Sequence, residues 1–254
     1  MKLGLASMTG SPGVTTLATL FAGLWPTERV ILIEADTDTV CLGPRFSNEL
    51  KPEPSIVDLA AECRHGVDPE SVLRQTQRLS LGRGFDVIVG GQTPVYSERA
   101  LSDLAPQLED LASVVGFDLI VDLGRVLASP AGRIAAGHMD GLVVCIEPRF
   151  EAVEPLLRRL SEFSTLGTSC VVVGIGKTDD SLMAELDAEL RTRSSGEIVY
   201  GGTIAQDAKA ASAWNGRTRM SPRALRASSL VRSANSVLAH LTASRIEEVE
   251  VELS

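Results

Sequence analysis

The segment Leu3-Gly-Leu-Ala-Ser-Met-Thr-Gly-Ser-Pro-Gly-Val-Thr-Thr-Leu-Ala18 decides the fold that this chain is expected to adopt. Residues 3–7 form a short apolar segment, which is typical of a buried parallel strand. A glycine-rich turn follows, and residues 15–24 carry leucines at helical spacing until Pro26 ends the pattern. The segment therefore predicts a strand, a tight loop and a helix in immediate succession.

The turn resembles a phosphate-binding loop, in which a glycine, four further residues and a second glycine are followed by Lys and then Ser or Thr. Gly13 and Thr15 occupy the positions of the second glycine and the hydroxyl residue, whereas Val14 occupies that of the lysine. Backbone N–H groups at a helix start attract phosphate oxygens whatever the side chains are. The residues of this segment expected to bind a nucleotide are Gly10, Ser11, Pro12, Gly13, Val14, Thr15 and Thr16.

Apolar segments alternate with amphipathic ones along the rest of the chain, and each short apolar segment predicts a strand. After residues 3–7, the predicted strands are 30–36, 85–91, 117–124, 140–148, 169–176 and 198–204. This alternation predicts an α/β protein with a doubly wound, mostly parallel sheet and helices on both faces. Residues 68–79 and 221–241 are among the predicted helices. We expect a single domain over residues 1–242, followed by an acidic, flexible tail over residues 243–254.

Composition and charge narrow the class of protein. The chain has 254 residues, of which 44% are hydrophobic, and a formal net charge of -9. A core of useful size is therefore available, while the acidic balance argues against a nucleic acid partner. The cysteines show no paired spacing, no signal peptide is recognised, and no apolar run is long enough to cross a bilayer. We expect a cytoplasmic protein with no direct membrane insertion, because the acidic tail would also be repelled by anionic lipid.

Carboxylates end two of the predicted strands. Asp122 follows the apolar run Phe-Asp-Leu-Ile-Val, and Asp36, with Glu34 before it, ends the second strand. Parallel strands place their carboxyl ends at one edge of the sheet, where α/β proteins bind ligands. We expect the Thr15 hydroxyl and Asp122, the latter through water, to hold Mg²⁺. Asp36 is the candidate catalytic residue, orienting an attacking water beside the terminal phosphate.

These motifs together make the chain similar to the MinD/ParA-type P-loop ATPases, a family with a deviant Walker A motif. Thr9-Gly-Ser-Pro-Gly-Val-Thr-Thr16 aligns with the family's Lys-Gly-Gly-x-Gly-Lys-Thr-Thr. Leu32-Ile-Glu-Ala-Asp36 resembles its strand ending in Asp-x-Asp, and Phe117-Asp-Leu-Ile-Val-Asp122 its Walker B strand. Ile204-Ala-Gln-Asp207 is similar to the family's late Ile-Pro-x-Asp segment. The resemblance therefore implies that Asp207 belongs to the nucleotide site, close to the adenine.

Both lysines of the family's loop are missing. Thr9 stands for the signature lysine, which in the family reaches the phosphates of the partner in a dimer, and Val14 stands for the P-loop lysine. Contacts that stabilise developing charge contribute on the order of 3 kcal/mol in a transition state. Their loss predicts severely reduced hydrolysis. Arg125, after Asp122, and Arg149, after a predicted strand, are candidates for a replacement positive charge.

The resemblance and these departures imply a degenerate family member, a pseudo-ATPase that hydrolyses nucleotide very weakly or not at all. Its expected role is that of an assembly or positioning factor in pilus, secretion, division or partition machinery. A homodimer and protein partners in such a machine are implied, and Mg-ATP is the expected cofactor if any binds. Two alternatives stay open, which are an active nucleotide hydrolase using an arginine and a non-hydrolysing Mg-nucleotide-binding switch.

One further motif allows a second interpretation of which nucleotide base the protein would recognise. Gly176-Lys-Thr-Asp179 is similar to the guanine-reading Asn/Thr-Lys-x-Asp motif of related GTPases. A solvated turn explains the same residues, and we favour it, but guanine recognition stays open at this point.

Overall fold

A computed structural model describes residues 1–8, 13–27, 29–177 and 180–252, without the side chains of residues 244–252. Its strands are β1 Lys2–Ser7, β2 Val30–Glu34, β3 Gln77–Leu79, β4 Phe85–Ile88, β5 Asp118–Arg125, β6 Gly141–Ile146, β7 Cys170–Gly176 and β8 Ile198–Ala205. Its α-helices are α1 Val14–Leu24, α2 Leu42–Arg45, α3 Ile56–Cys63, α4 Pro69–Arg74, α5 Pro94–Leu104, α6 Leu108–Val115, α7 Pro130–Gly137, α8 Phe150–Arg158, α9 Leu160–Ser164, α10 Asp180–Arg193, α11 Ala208–Trp214, α12 Pro222–Arg226 and α13 Ser229–Glu252.

The strands form one eight-stranded sheet in the order β3-β4-β2-β5-β1-β6-β7-β8. All neighbouring strands run parallel except β3, which is antiparallel to β4 at the edge. The predicted α/β class with a doubly wound, mostly parallel sheet is confirmed. The order also places β5 between β1 and β2, so the carboxyl ends of these three strands are neighbours.

Hydrophobic cores on both faces of the sheet explain why the central strands are apolar throughout. One core joins Leu5 and Leu32 of the sheet to Leu17 of α1 and Trp214 of α11. The other core takes the alternate strand residues and joins them to helices α3, α5 and α7. Successive side chains of a strand point to opposite faces, so a strand covered on both faces buries every residue.

The predicted boundaries of two helices were wrong. Within residues 68–79 only α4 is helical, and β3 follows it as a short edge strand. The predicted helix over residues 221–241 is divided into α12 and α13, because the Ser228 hydroxyl accepts a hydrogen bond from the Val231 N–H at 3.3 Å and caps a new helix. Helix α13 then continues to Glu252, past the predicted boundary at 242. The division into a domain and a flexible tail stays a prediction.

No helix in the described part of the chain combines the length and the apolar character that a membrane span requires.

Candidate functional site

A cleft of about 370 Å³ opens at the carboxyl ends of β1, β2 and β5. Its floor is formed by strand ends and its sides by the start of α1 and by the segment that leads into α2. The lining residues are Ser7, Gly13, Val14, Thr15, Thr16, Asp36, Asp38, Thr39, Cys41, Arg45, Gly124 and Arg125. The sequence-predicted residues Gly13, Val14, Thr15, Thr16 and Asp36 are thus brought together, whereas Gly10, Ser11 and Pro12 lie outside the described residues.

Helix α1 begins at this cleft without a side-chain cap. Gly13 adopts the left-handed conformation with φ 94°, and among the described residues no side chain caps the first turn by accepting a hydrogen bond. The first N–H groups of a helix have no intrahelical acceptor and carry the positive end of its dipole. The turn therefore offers an anion the backbone donors of Val14, Thr15 and Thr16.

Val14, at the position of the P-loop lysine, contributes no polar group to the cleft from its side chain. It is only 5% exposed and belongs to the hydrophobic core formed with the first strand and helix. A buried β-branched side chain at this point packs under the helix start. The positive charge that a lysine would deliver to the phosphates is absent from this position.

Asp122 is not among the residues that line the cleft, but it lies next to the side chain of Thr15, which does. It lies fully buried in β5, paired in register with Leu5 of β1 and Glu34 of β2. Its Oδ1 accepts a hydrogen bond from the Gly124 N–H at 3.2 Å, whereas Oδ2 is buried and has no hydrogen-bond partner among the described residues. Burial raises the pKa of Asp122 to about 7, against the opposing effect of the adjacent Thr15 side chain.

These groups fit a magnesium ion held with nucleotide phosphates. The unpartnered Oδ2 of Asp122 and the neighbouring Thr15 hydroxyl are oxygen ligands, which Mg²⁺ prefers. No cluster of three His, Cys, Asp or Glu side chains that could bind a metal occurs among residues 1–8, 13–27, 29–177 and 180–252. Mg²⁺ tolerates so few protein ligands because it retains waters and takes phosphate oxygens. Such an ion would neutralise phosphate charge beside the start of α1.

Asp36 lies at the side of the cleft, two residues beyond the end of β2. Its Oδ1 accepts hydrogen bonds from the N–H groups of Asp38 at 2.8 Å and Thr39 at 3.3 Å. Burial raises the pKa of Asp36, although these two backbone hydrogen bonds oppose the rise. The hydrogen bonds fix the carboxyl at the cleft, where its predicted water-orienting role stays a prediction.

Glu34 is built into the frame of the site. It is fully buried, and its Oε1 accepts hydrogen bonds from the N–H groups of Cys41 at 2.7 Å and Leu42 at 2.8 Å. Its Oε2 accepts another from the Gly90 N–H at 2.8 Å. One carboxylate thereby ties β2 to the start of α2 and to the end of β4. Glu34 therefore fixes the position of α2. It does not line the cleft, whereas Asp36 does.

Arg45, the last residue of α2, reaches the cleft beside the first turn of α1. Its Nη1 donates to Asn215 Oδ1 at 3.0 Å, and the Asn215 amide donates to Thr16 Oγ1 at 3.3 Å. Arg45 forms no ion pair with any described residue. Burial raises the pKa of the lining Cys41 thiol to about 12, and the charge of Arg45 opposes that rise. A half-buried guanidinium that makes no ion pair with a described residue therefore lines the cleft.

Arg125 and Arg149 were the two candidates for a replacement charge, and they differ in position. Arg125 lines the cleft, where its Nε and Nη2 donate to Asp38 Oδ2 at 2.8 and 2.6 Å. Arg149 pairs with Glu147 after β6 and does not line the cleft. Only Arg125 of these two reaches the site, and its charge is already compensated there.

Two further predicted positions lie outside the cleft lining. Asp207 caps α11, where Oδ1 accepts from the Ala210 N–H at 2.9 Å and Oδ2 from the Ser229 hydroxyl at 3.2 Å. Lys177 is exposed and does not line the cleft, while Thr178 and Asp179 lie outside the described residues. The nucleotide-binding role of Asp207 stays a prediction.

Sequence reasoning missed Asp38, Thr39, Cys41, Arg45 and Asn215. All of them lie in loops, in a one-turn helix or at a helix end, where no periodic pattern marks a functional side chain. The acidic pair at the end of β2 was a usable signal, since a chain that turns back over a strand end brings its next residues to the same edge. Nothing in the sequence pairs Arg45 with Asn215, which is 170 residues away.

The sheet is followed at its ligand edge by an uncapped helix after a glycine turn, and carboxylates lie at two adjacent strand ends. These features place the fold in the class of α/β folds built around a phosphate-binding loop. No protein-family model matches the chain, and no curated protein matches it. Solved structures match nearly its whole length, and they specify the fold as that of the ParA and MinD ATPases.

Three solved structures illustrate the match. The ParA family ATPase of Chlorobium tepidum TLS has a TM-score of 0.74 at 18% identity, over 94% of this chain and 98% of that one. A Cyanothece McdA complex with ATP has a TM-score of 0.70 at 19% identity, over 95% and 96%. The cell division ATPase MinD of Pyrococcus furiosus has a TM-score of 0.70 at 13% identity, over 95% and 98%. The fold recognised from the motifs is confirmed.

Proposed function

We propose that this protein is a ParA/MinD-like assembly or positioning factor whose cleft binds Mg-nucleotide but hydrolyses it very weakly or not at all. The observation that carries this proposal is the burial of Val14 at the position of the P-loop lysine. A lysine there would place a point charge on the phosphates and stabilise the charge that develops during transfer. Loss of one such contact lowers turnover by about 100-fold or more.

The unpartnered Oδ2 of Asp122 favours nucleotide binding over an empty, purely structural cleft. A carboxyl oxygen that is buried without a partner costs about 1–3 kcal/mol, and a magnesium ion or its water would remove that cost. The Thr15 side chain and the open first turn of α1 are adjacent. These groups support the interpretation of a non-hydrolysing Mg-nucleotide switch as the form that the positioning factor takes.

A homodimer and protein partners are part of the same proposal. MinD, one of the proteins with this fold, has been solved in a MinC:MinD complex, and McdA as a complex with ATP. A switch of this kind would expose or hide a partner surface according to the nucleotide in the cleft. Light scattering after gel filtration, with and without Mg-ATP, tests the dimer directly.

The decisive experiment compares binding and turnover in the purified protein. Isothermal titration with Mg-ATP, Mg-ADP and Mg-GTP measures occupancy and base preference, and phosphate release from radiolabelled ATP measures hydrolysis. We expect saturable, magnesium-dependent binding with release close to the uncatalysed background. The Asp122→Ala variant should weaken the magnesium-dependent part of binding.

Each outcome decides between the alternatives. Rapid phosphate release that Asp122→Ala abolishes would establish the active hydrolase and end the proposal. A flat titration with every nucleotide would remove the switch and leave only a structural cleft. Tighter binding of Mg-GTP than of Mg-ATP would restore the guanine-reading interpretation of residues 176–179.

A further inference from the structure

The Arg45 guanidinium lines the cleft and forms no ion pair with any carboxylate of the described residues. We infer that Arg45 is the phosphate-binding cation of this site, delivered by α2 in place of the missing loop lysine, and that Asn215 is its positioning residue. The inference deepens the proposed function and rests on it, because the ligand is the polyphosphate of a Mg-nucleotide.

Charge balance singles out Arg45. Its hydrogen-bond partner is the neutral amide of Asn215, reached by Nη1 alone, and no other partner of the guanidinium occurs among the described residues. A guanidinium carries five N–H donors in a planar fork that matches phosphate oxygens. The donors left over by Asn215 therefore remain available for an anion in the cleft that Arg45 lines.

The position of Arg45 suits phosphates bound at α1. Asn215 contacts both Arg45 and Thr16, at 3.0 and 3.3 Å, so the guanidinium is one side chain away from the first helical turn. Thr16 lines the same cleft and lies next to Thr15, the expected magnesium ligand. Phosphates on the N–H groups of this turn would lie between the helix start and Arg45.

The frame around α2 fixes Arg45 before any ligand arrives. Glu34 accepts hydrogen bonds from N–H groups at the start of α2, and both Leu42, the first residue of the helix, and Phe46, just after its end, are buried. A donor that is already in place loses little conformational entropy on binding. This fixed position distinguishes Arg45 from an arginine on a mobile surface segment, which would reach the cleft in only some conformations.

Arg125 lines the same cleft but is a poorer candidate. Two of its donors share one oxygen of Asp38, and about half of its side chain is exposed. A phosphate would have to break that ion pair before it gained the arginine. Arg125 therefore serves as the internal comparison for Arg45, since both lose one positive charge in a glutamine variant.

The test measures affinity by isothermal titration for Mg-ATP, for inorganic tripolyphosphate with Mg²⁺, and for adenosine. The variants are Arg45→Gln, Arg45→Lys, Asn215→Ala and Arg125→Gln, with Arg149→Gln as the control for net charge outside the cleft. Thermal unfolding of each variant without ligand establishes that it folds. Arg45→Gln should weaken Mg-ATP and tripolyphosphate about tenfold or more, because it removes a charge-assisted hydrogen bond. Adenosine affinity should not change.

The other variants sharpen the assignment. Arg45→Lys should recover part of the loss, Asn215→Ala and Arg125→Gln should weaken the phosphate ligands by a smaller factor, and Arg149→Gln should stay within about twofold. A folded Arg45→Gln protein that binds Mg-ATP and tripolyphosphate as the unaltered protein does would overturn the inference and leave the proposed function standing. No binding by the unaltered protein would overturn both. Rapid turnover with Arg45-dependent affinity would overturn only the non-hydrolysing function.

Discussion

Gly124 in β5 lies directly against the carboxyl group of Asp36 beyond β2. A Cβ added at Gly124 would overlap that carboxyl group, and the residue also has φ +56°, a conformation that side chains disfavour. The glycine therefore lets two adjacent strand ends approach closely enough to form one side of the cleft. This contact connects the position of Asp36 to the same strand that carries Asp122.

Replacing Gly124 by alanine should lower the stability of the protein by more than the backbone strain alone would. The left-handed conformation costs about 1–2 kcal/mol for a residue with a Cβ, and displacement of Asp36 adds to it. We expect a loss of about 2–4 kcal/mol in the free energy of unfolding, measured by urea titration, and weaker Mg-ATP binding.

Gly116→Ala is the matched control for that variant. Gly116 has φ +67°, but an added Cβ there meets nothing within 4 Å. It should show the strain cost alone and leave nucleotide affinity unchanged. Equal effects of the two substitutions on affinity would contradict the role given to the contact between Gly124 and Asp36.

Glu34→Gln tests the frame that holds α2. The amide keeps one acceptor oxygen but turns a donor toward backbone N–H groups, so that at least one buried hydrogen bond is lost. We expect destabilisation by about 2–3 kcal/mol in urea unfolding, together with weaker Mg-ATP binding because Arg45 is no longer fixed. Glu185→Gln, at an exposed position of α10, should change stability by less than about 0.5 kcal/mol. A Glu34→Gln protein as stable as the unaltered one would rule out the anchoring role.

Asp122 should make stability depend on pH in metal-free buffer. Burial raises its folded-state pKa to about 7 from the ordinary aspartate value of 3.8, so between these two pH values the folded protein keeps a proton that the unfolded chain has released. Stability attributable to this group is complete below about pH 4 and falls as pH rises toward 7, by roughly 1.4 kcal/mol per pH unit.

The Asp122→Asn variant isolates this effect, because its amide does not titrate. Urea unfolding at pH 5 and pH 8 in EDTA should show the unaltered protein losing stability relative to Asp122→Asn as pH rises. Asp110→Asn, at an exposed position of α6, should follow the unaltered protein. A constant difference between Asp122→Asn and the unaltered protein across this range would mean that Asp122 is already ionised in the folded state at pH 5.

Val14→Lys tests whether the missing loop charge limits the site. The substitution removes a buried side chain, which should cost about 1–3 kcal/mol of stability, and places an ammonium group at the start of α1. Titration with Mg-ATP should show affinity about tenfold higher than in the uncharged control Val14→Met. Equal affinities of the two variants would mean that position 14 does not face the phosphates.

The sheet and its ligand edge could be predicted from the sequence because buried parallel strands are short, continuous apolar runs, and acidic residues stand where two of these runs end. Leu5, Leu32 and Asp122 are examples, since each lies where its strand pattern puts it. The structural role of Glu34 could not be predicted in the same way, because its three backbone donors come from the start of α2 and from the loop after β4. Arg45 was missed for a related reason, as a short helix tied to a distant amide leaves no pattern.

Binding and turnover measured in one sample test the central claim most directly. The protein is incubated with radiolabelled Mg-ATP at concentrations that titration shows to be saturating, and bound nucleotide and released phosphate are counted over several hours. The account predicts stoichiometric, magnesium-dependent binding with phosphate release close to that of a protein-free control. Sustained release well above that control, abolished by Asp122→Ala, would contradict it.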